Sequence, residues 1–214
     1  IGAVARELLE HRGQSLIVVG PRQPVAVHGL AIALNRALGN VGTTVTYTEP
    51  VDSQEPENFE SLKNLVAAIN AGKVDTLVIL GGNPAYDAPA DLGFAEALKK
   101  VPNSVHFTAY LDETAQLATW QVPRAHELES WGDHQSTRGE YSVQQPLIAP
   151  LWGGRTDAEV LAQVAGEPNW RAYNLVQATV EQRGLRGELA WRRLLHKGVA
   201  EQRFGAVLGA SSIK

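Results

Sequence analysis

The chain has 214 residues, 44% of them hydrophobic and 20% charged, with a formal net charge of −4. That is a globular composition, long enough to bury one large core or one and a half, and its mild acidity offers no basic stripe to nucleic acid. The lack of any cysteine excludes iron–sulfur ligation, disulfides and thiolate–metal bonds within this sequence. No apolar run approaches the roughly 20 residues of a membrane-crossing helix, so direct membrane insertion is not expected.

The opening "IGAVARELLEHRG" reads as a helix entered part-way, and methionine is absent throughout, so the chain is expected to be a piece of something longer. "SLIVVG" at 15–20 is a β-branched run ending in Gly and predicts a buried strand. "PVAVHGLAIALNRALGN" predicts a helix over 24–38. Val27, Leu30, Leu34 and Leu38 recur at helical spacing, Pro24 suits the first turn, and Gly39-Asn40 suits the C-cap. "TTVTYT" at 43–48 is the next strand candidate, and the polar, Pro-containing stretch 51–61 reads as a surface loop.

A helix is predicted over 59–72, with Leu62, Leu65, Val66 and Ile69 on one face. A strand at 74–80, a Gly-Gly-Asn-Pro turn, a helix over 91–100 and a strand at 104–110 follow. Strands separated by helices of this length indicate βαβ crossovers, hence a mostly parallel sheet with helices on both faces. From 119 to 157 the pattern breaks into an irregular segment rich in Gly, Pro and Trp, with short strands at most at 119–122 and 141–145. Helices are then expected at 156–166, capped by Thr156, near 168–182, and at 187–197, ahead of a weakly patterned tail.

The turn in "VDTLVILGGNPAYDAP" lies where an open parallel sheet binds ligands, at a strand's C-terminal end. Gly81 and Gly82 permit positive φ and close backbone approach, Asn83 donates and accepts, and Pro84 fixes the exit. Two readings are open, a cradle for phosphates or simply a tight strand exit. Neither the G-x-G-x-x-G fingerprint nor the P-loop pattern is present.

Several blocks, in order, resemble the molybdopterin oxidoreductase (dimethyl sulfoxide reductase) family. They are "AVHGLAIALNRALGNVG", "LVILGGNPAYDAPAD", "YLDETAQLATWQVPRAHELESWGD" and "RGEYSVQQPLIAPLWGGRTDAEVLAQVAG", which span roughly residues 15–166. Each block is weak alone; their order carries the resemblance. The wording "DETAQLATWQVPRAHELESWGD" with "QQPLIAPLWGG", and later "WRRLLHKGV", is similar to the large iron–sulfur subunit of alternative complex III, a branch that kept the fold and lost the molybdenum cofactor.

The resemblance implies a Rossmann-like α/β domain over 1–166 and a C-terminal helical extension over 167–214. It implies that working members hold a bis-(molybdopterin guanine dinucleotide) cofactor. Carried over by position, Gly81, Gly82, Asn83, Pro84, Asp112, Glu113 and Thr114 would lie near its guanosine and phosphate end. Where members read Ala-Asp-x-x-Leu-Pro, this chain has Ala118-Thr119-Trp120-Gln121-Val122-Pro123, replacing an acid and adding an indole. The expected role is therefore a scaffold domain without catalytic residues or bound metal, its cofactor site vestigial. Iron–sulfur clusters would sit elsewhere in the parent. Partners would be other regions of that parent and subunits of a membrane-bound respiratory complex on the periplasmic side. The alternative is a domain gripping half of the molybdopterin dinucleotide in an active oxidoreductase.

Other candidates have plainer readings. His126, Glu127, Glu129, Asp133 and His134 could suggest a metal, but H-E-x-x-H is absent and a loop is expected there. His28 on an apolar helix is expected to be packed and hydrogen-bonded. Ser15, Ser61 and Ser130 lack a nucleophile context. Trp120, Trp131 and Trp152 suit an interface or, equally, a core edge. Arg22, Arg124, Arg138 and Arg155 could clamp phosphate if a cofactor were bound, or stand solvated.

Overall fold

The computed structural model describes residues 1–49, 58–205 and 207–208. Most of the loop expected at 51–61 lies outside these. In chain order the first elements are α1 (Gly2–Glu10), α2 (Val25–Ala37), β1 (Tyr47–Thr48), α3 (Asn58–Asn70), β2 (Thr76–Leu80) and α4 (Pro84–Asp87). Next come α5 (Phe94–Leu98), β3 (Asn103–Thr108), α6 (Glu113–Leu117), β4 (Trp120–Pro123), β5 (Gly132–Gln135) and β6 (Tyr141–Gln144). The series closes with α7 (Asp157–Val164), α8 (Ala172–Gln182), α9 (Glu188–Lys197) and β7 (Val207–Leu208).

The chain divides into two compact units. One comprises 1–53, 136–139 and 203–214, the other 54–135 and 140–202. In the first, β1 pairs antiparallel with β7, Tyr47 opposite Leu208. The strand expected over 43–48 is thus reduced to 47–48, because 42–44 turn tightly and Thr44 N–H and Val45 N–H both donate to the Asn40 carbonyl. The strand expected at 15–20 is also corrected, since it joins no ladder among the described residues. A side chain serves instead. Asn35 Oδ1 accepts from Ile17 N–H at 3.0 Å while Asn35 Nδ2 donates to the Ile17 carbonyl at 2.8 Å, so one amide meets both main-chain groups as a neighbouring strand would. α2 therefore buries Ala31 and Asn35, with Leu38 beyond its end. Of the helically spaced Val27, Leu30, Leu34 and Leu38, the first three are exposed and Leu38 is buried, and His28 is half-buried.

The second unit bears out the parallel α/β expectation. β2, β3 and β4 form a parallel sheet in that order, with Leu80 opposite Phe107 and Phe107 opposite Val122. The Rossmann-like layering follows from apolar periodicity. Val66 and Ile69 of α3 pack with Phe94, Ala97, Leu98 and Val101, and Leu62, Leu65, Leu77 and Ile79 close over that cluster. Leu98 is fully buried, a contribution of about 1.5–3 kcal/mol relative to exposure. The helix expected over 91–100 is shorter, because Gly93 (φ 62°) separates a 3-10 turn at Ala90–Leu92 from α5.

The irregular segment contains more order than its composition suggests. β5 and β6 form an antiparallel ribbon with Asp133 opposite Val143. The loop expected around 126–134 is corrected: Glu127–Glu129 is a 3-10 turn and 132–135 is a strand. Tyr141 is fully buried and donates to Asp133 Oδ2 at 2.6 Å, with the Arg183 guanidinium 4.5 Å from its ring centre. Thr156 caps α7 as expected, its hydroxyl accepting from Glu159 N–H while Glu159 Oε2 accepts from Thr156 N–H. Glu159 Oε1 also accepts from Ala172 N–H, tying α7 to the start of α8.

Candidate functional site

Leu80 ends β2, and Gly81 N–H extends the ladder by donating to the Phe107 carbonyl at 2.9 Å. Gly81 and Gly82 then take φ of 69° and 68°, which side-chain-bearing residues rarely adopt. Pro84 opens α4. Asn83 precedes it without capping it. Its Oδ1 instead accepts from Thr114 N–H at 3.1 Å and from the Thr114 hydroxyl at 2.7 Å, while its Nδ2 donates to Glu113 Oε2 at 2.7 Å. Thr114 Oγ1 in turn accepts from Ala85 N–H at 2.9 Å. Thr114 is fully buried. The residues singled out in sequence, Gly81 to Pro84 and Asp112 to Thr114, are therefore brought together, linked to one another.

β3 supplies the support. Alternation along this strand buries Ser104, His106 and Thr108 on one side. Ser104 Oγ accepts from Thr119 N–H at 2.8 Å. His106 Nε2 lies 3.1 Å from the Gly82 carbonyl. Thr108 donates to Asp112 Oδ2 at 3.1 Å, and Asp112 Oδ1 caps α6 by accepting from Ala115 N–H at 2.7 Å. His106 Nδ1 lies 3.4 Å from Asp112 Oδ1, within ion-pair range, yet is a buried atom without a well-formed hydrogen bond. It faces that carboxylate. Sequence reasoning missed this stripe, although the polar-apolar alternation of "NSVHFT" signalled it.

Arg124, just beyond β4, is not an isolated arginine; it belongs to the turn. A Cβ added to Gly81 would fall 3.3 Å from Arg124 Nη1 and 3.4 Å from Cζ, so the guanidinium lies against the glycine. Its other edge grips Asp157, Nε to Oδ1 at 2.8 Å and Nη2 to Oδ2 at 2.5 Å. The hydrogen bond to Asp157 raises the Arg124 pKa further, against the opposing effect of burial.

A concave surface beside the turn is lined by Phe59, Leu62, Gly81, Asn83, Pro84 and Asp87, together with Gly82, Ala88 and Pro89. Among the described residues it carries an acid and no cationic side chain. Trp120 is not part of it; the indole is 63% exposed at the start of β4, opposite Val105. The molybdopterin dinucleotide implied by resemblance is a poor fit to these side chains. Its phosphates would meet the carboxylate of Asp87 on that surface, the amide of Asn83 is engaged within the protein, and the Arg124 guanidinium against Gly81 is already paired with Asp157.

The other candidates separate. His126 Nδ1 accepts from Leu128 N–H, and Glu129 accepts from His126 N–H and Leu151 N–H through its two oxygens. His134 faces Gln144. Among the described residues no group of three or more His, Asp or Glu is placed to hold a metal ion. Trp131 packs with Tyr173 and Trp191 at ring-centre distances of 5.0 and 6.1 Å, and Trp152 is 82% exposed. Among the described residues no helix is long and apolar enough to cross a membrane.

A parallel α/β unit whose strand-end turn is closed by its own side chains is what fold and site together define. No family model matches the chain. It is similar to the "Menaquinone reductase, molybdopterin-binding-like subunit" of Nitratidesulfovibrio vulgaris (strain Hildenborough), with 32% identity over 108 residues. That match covers 47% of this chain and 16% of the relative, so the chain spans only a small part of the protein it resembles.

Proposed function

We propose that this chain is a non-catalytic scaffold domain of an electron-transfer oxidoreductase subunit related to the molybdopterin oxidoreductases. The relative's name supports the broad class, and the ordered blocks over 15–166 support the finer one, the iron–sulfur subunit of a quinol oxidoreductase such as alternative complex III. On this reading residues 1–166 are the family-like α/β part and 167–214 a helical extension. Iron–sulfur clusters lie elsewhere in the parent, which is membrane-associated on the periplasmic side and docks to other subunits. The observation that carries the proposal is Asn83, whose side chain is engaged by Glu113 and Thr114 rather than free to meet a ligand.

The second reading, a domain gripping a bis-(molybdopterin guanine dinucleotide), has its own support. Among the described residues no acceptor meets the main-chain N–H of Gly82 or Asn83, and both line the concave surface. Molybdenum analysis and pterin fluorescence on the parent, purified with its partner subunits, separate the two. The scaffold reading expects neither signal above background. Stoichiometric molybdenum and pterin would replace it with the second.

A further inference from the structure

The Arg124–Asp157 pair invites a plain explanation, a half-exposed ion pair of small energetic value. Three features go beyond that. The contact is a two-point fork, the geometry in which guanidinium recognises a carboxylate or a phosphate interchangeably. The guanidinium is seated against Gly81, where positive φ and a missing Cβ together make room for it. And among the described residues no cation lines the concave surface beside the turn, so Arg124 against Gly81 is the cation in contact with the turn.

We infer that the Asp157 carboxylate is a built-in substitute for a phosphate, filling the anion position that Arg124 presents at the Gly81-Gly82 turn. The site is thus a masked oxyanion site, kept neutral by the first residue of α7. The inference rests on the cofactor-free reading above. It adds the particular residue that keeps phosphate out.

Inorganic pyrophosphate is the probe, titrated by calorimetry into the 214-residue chain and into its Asp157→Asn variant. The Arg124 Nε–H resonance is followed in parallel, because a merely structural pair would leave it indifferent to the probe. Wild type should show no saturable heat. Asp157→Asn should show saturable binding, with a dissociation constant at least about tenfold below the highest probe concentration at which wild type stays silent. The Arg124 resonance should shift on titration, and Arg124→Gln in the same background should abolish the binding. If the asparagine variant does not fold, Asp157→Ser, which keeps a small polar residue at the helix start, takes its place. A folded variant that binds no better than wild type overturns the masking inference and leaves the scaffold reading intact. Saturable binding by wild type overturns both.

Discussion

At the turn after β2, polar side chains are engaged with one another. On the loop from Leu147 to Trp152, large apolar side chains stand in water: Leu147 is 76% exposed, Leu151 69% and Trp152 82%. That loop is nonetheless tied down, with Leu147 N–H and Ile148 N–H donating to the Leu128 carbonyl and Leu151 N–H donating to Glu129. A surface built for chemistry gathers free polar groups in a concavity, whereas a surface built for contact holds apolar groups in place at the exterior. Here the polar side chains of the turn are satisfied, with the Gly82 and Asn83 N–H groups left over among the described residues, and the apolar side chains of the loop stay bare. The difference is what the contact role proposed above expects.

The contrast breaks most visibly at Asn83. Asn83→Ala removes the partner of the Thr114 N–H, the Thr114 hydroxyl and Glu113, two of those groups being on a fully buried residue. Chemical denaturation should show a loss of about 2–3 kcal/mol. A loss near zero would mean that water replaces the amide without cost, and that the turn is not closed. Next comes Gly81→Ala, which imposes a strained φ and pushes a methyl toward Arg124. The expected loss is about 1–2 kcal/mol by the same measurement.

Tyr141 sharpens the comparison in a different way. Burial, then its hydrogen bond to Asp133, pushes the phenol well above its ordinary value of 10.0. The folded state therefore keeps the proton in a range where the unfolded chain gives it up. Stability from this group is complete below pH 10 and falls as pH rises through that value toward the folded-state pKa. Urea titrations at pH 9 and 11 should show wild type losing more stability than Tyr141→Phe, a difference of about 1 kcal/mol. Parallel curves would contradict it. The smallest effect is expected at the loop. Trp152→Ser should leave stability within about 0.5 kcal/mol while lowering the binding of an apolar dye.

The parts of this fold legible in the sequence are those written in local patterns. α3 shows its face through Leu62, Leu65, Val66 and Ile69, and Thr156 announces α7 as its N-cap, to which the structure adds a capping box with Glu159. The turn after β2 was legible from its two glycines and its proline. α4 and α6 were not, because helices of 4 and 5 residues are too short for a periodic signal. β5 was hidden by its composition, Gly-Asp-His-Gln. Its pairing with β6 is a tertiary fact, secured by Tyr141 reaching Asp133. Residues 15–20 carried a strand-like composition but meet the amide of Asn35 instead of a ladder. The closure of the candidate site was least legible, since Asn83 and Thr114 are 31 residues apart and Arg124 and Asp157 are 33 apart.

The closure of the turn is tested most directly by titrating guanosine diphosphate into the isotope-labelled wild-type chain while following the Asn83 side-chain NH2 and the Thr114 amide by nuclear magnetic resonance. Both signals should stay in place to millimolar ligand, as expected of groups already bonded to each other. Saturable shifts of the two together would show that the turn opens to a nucleotide, and the domain would then be a cofactor-binding one.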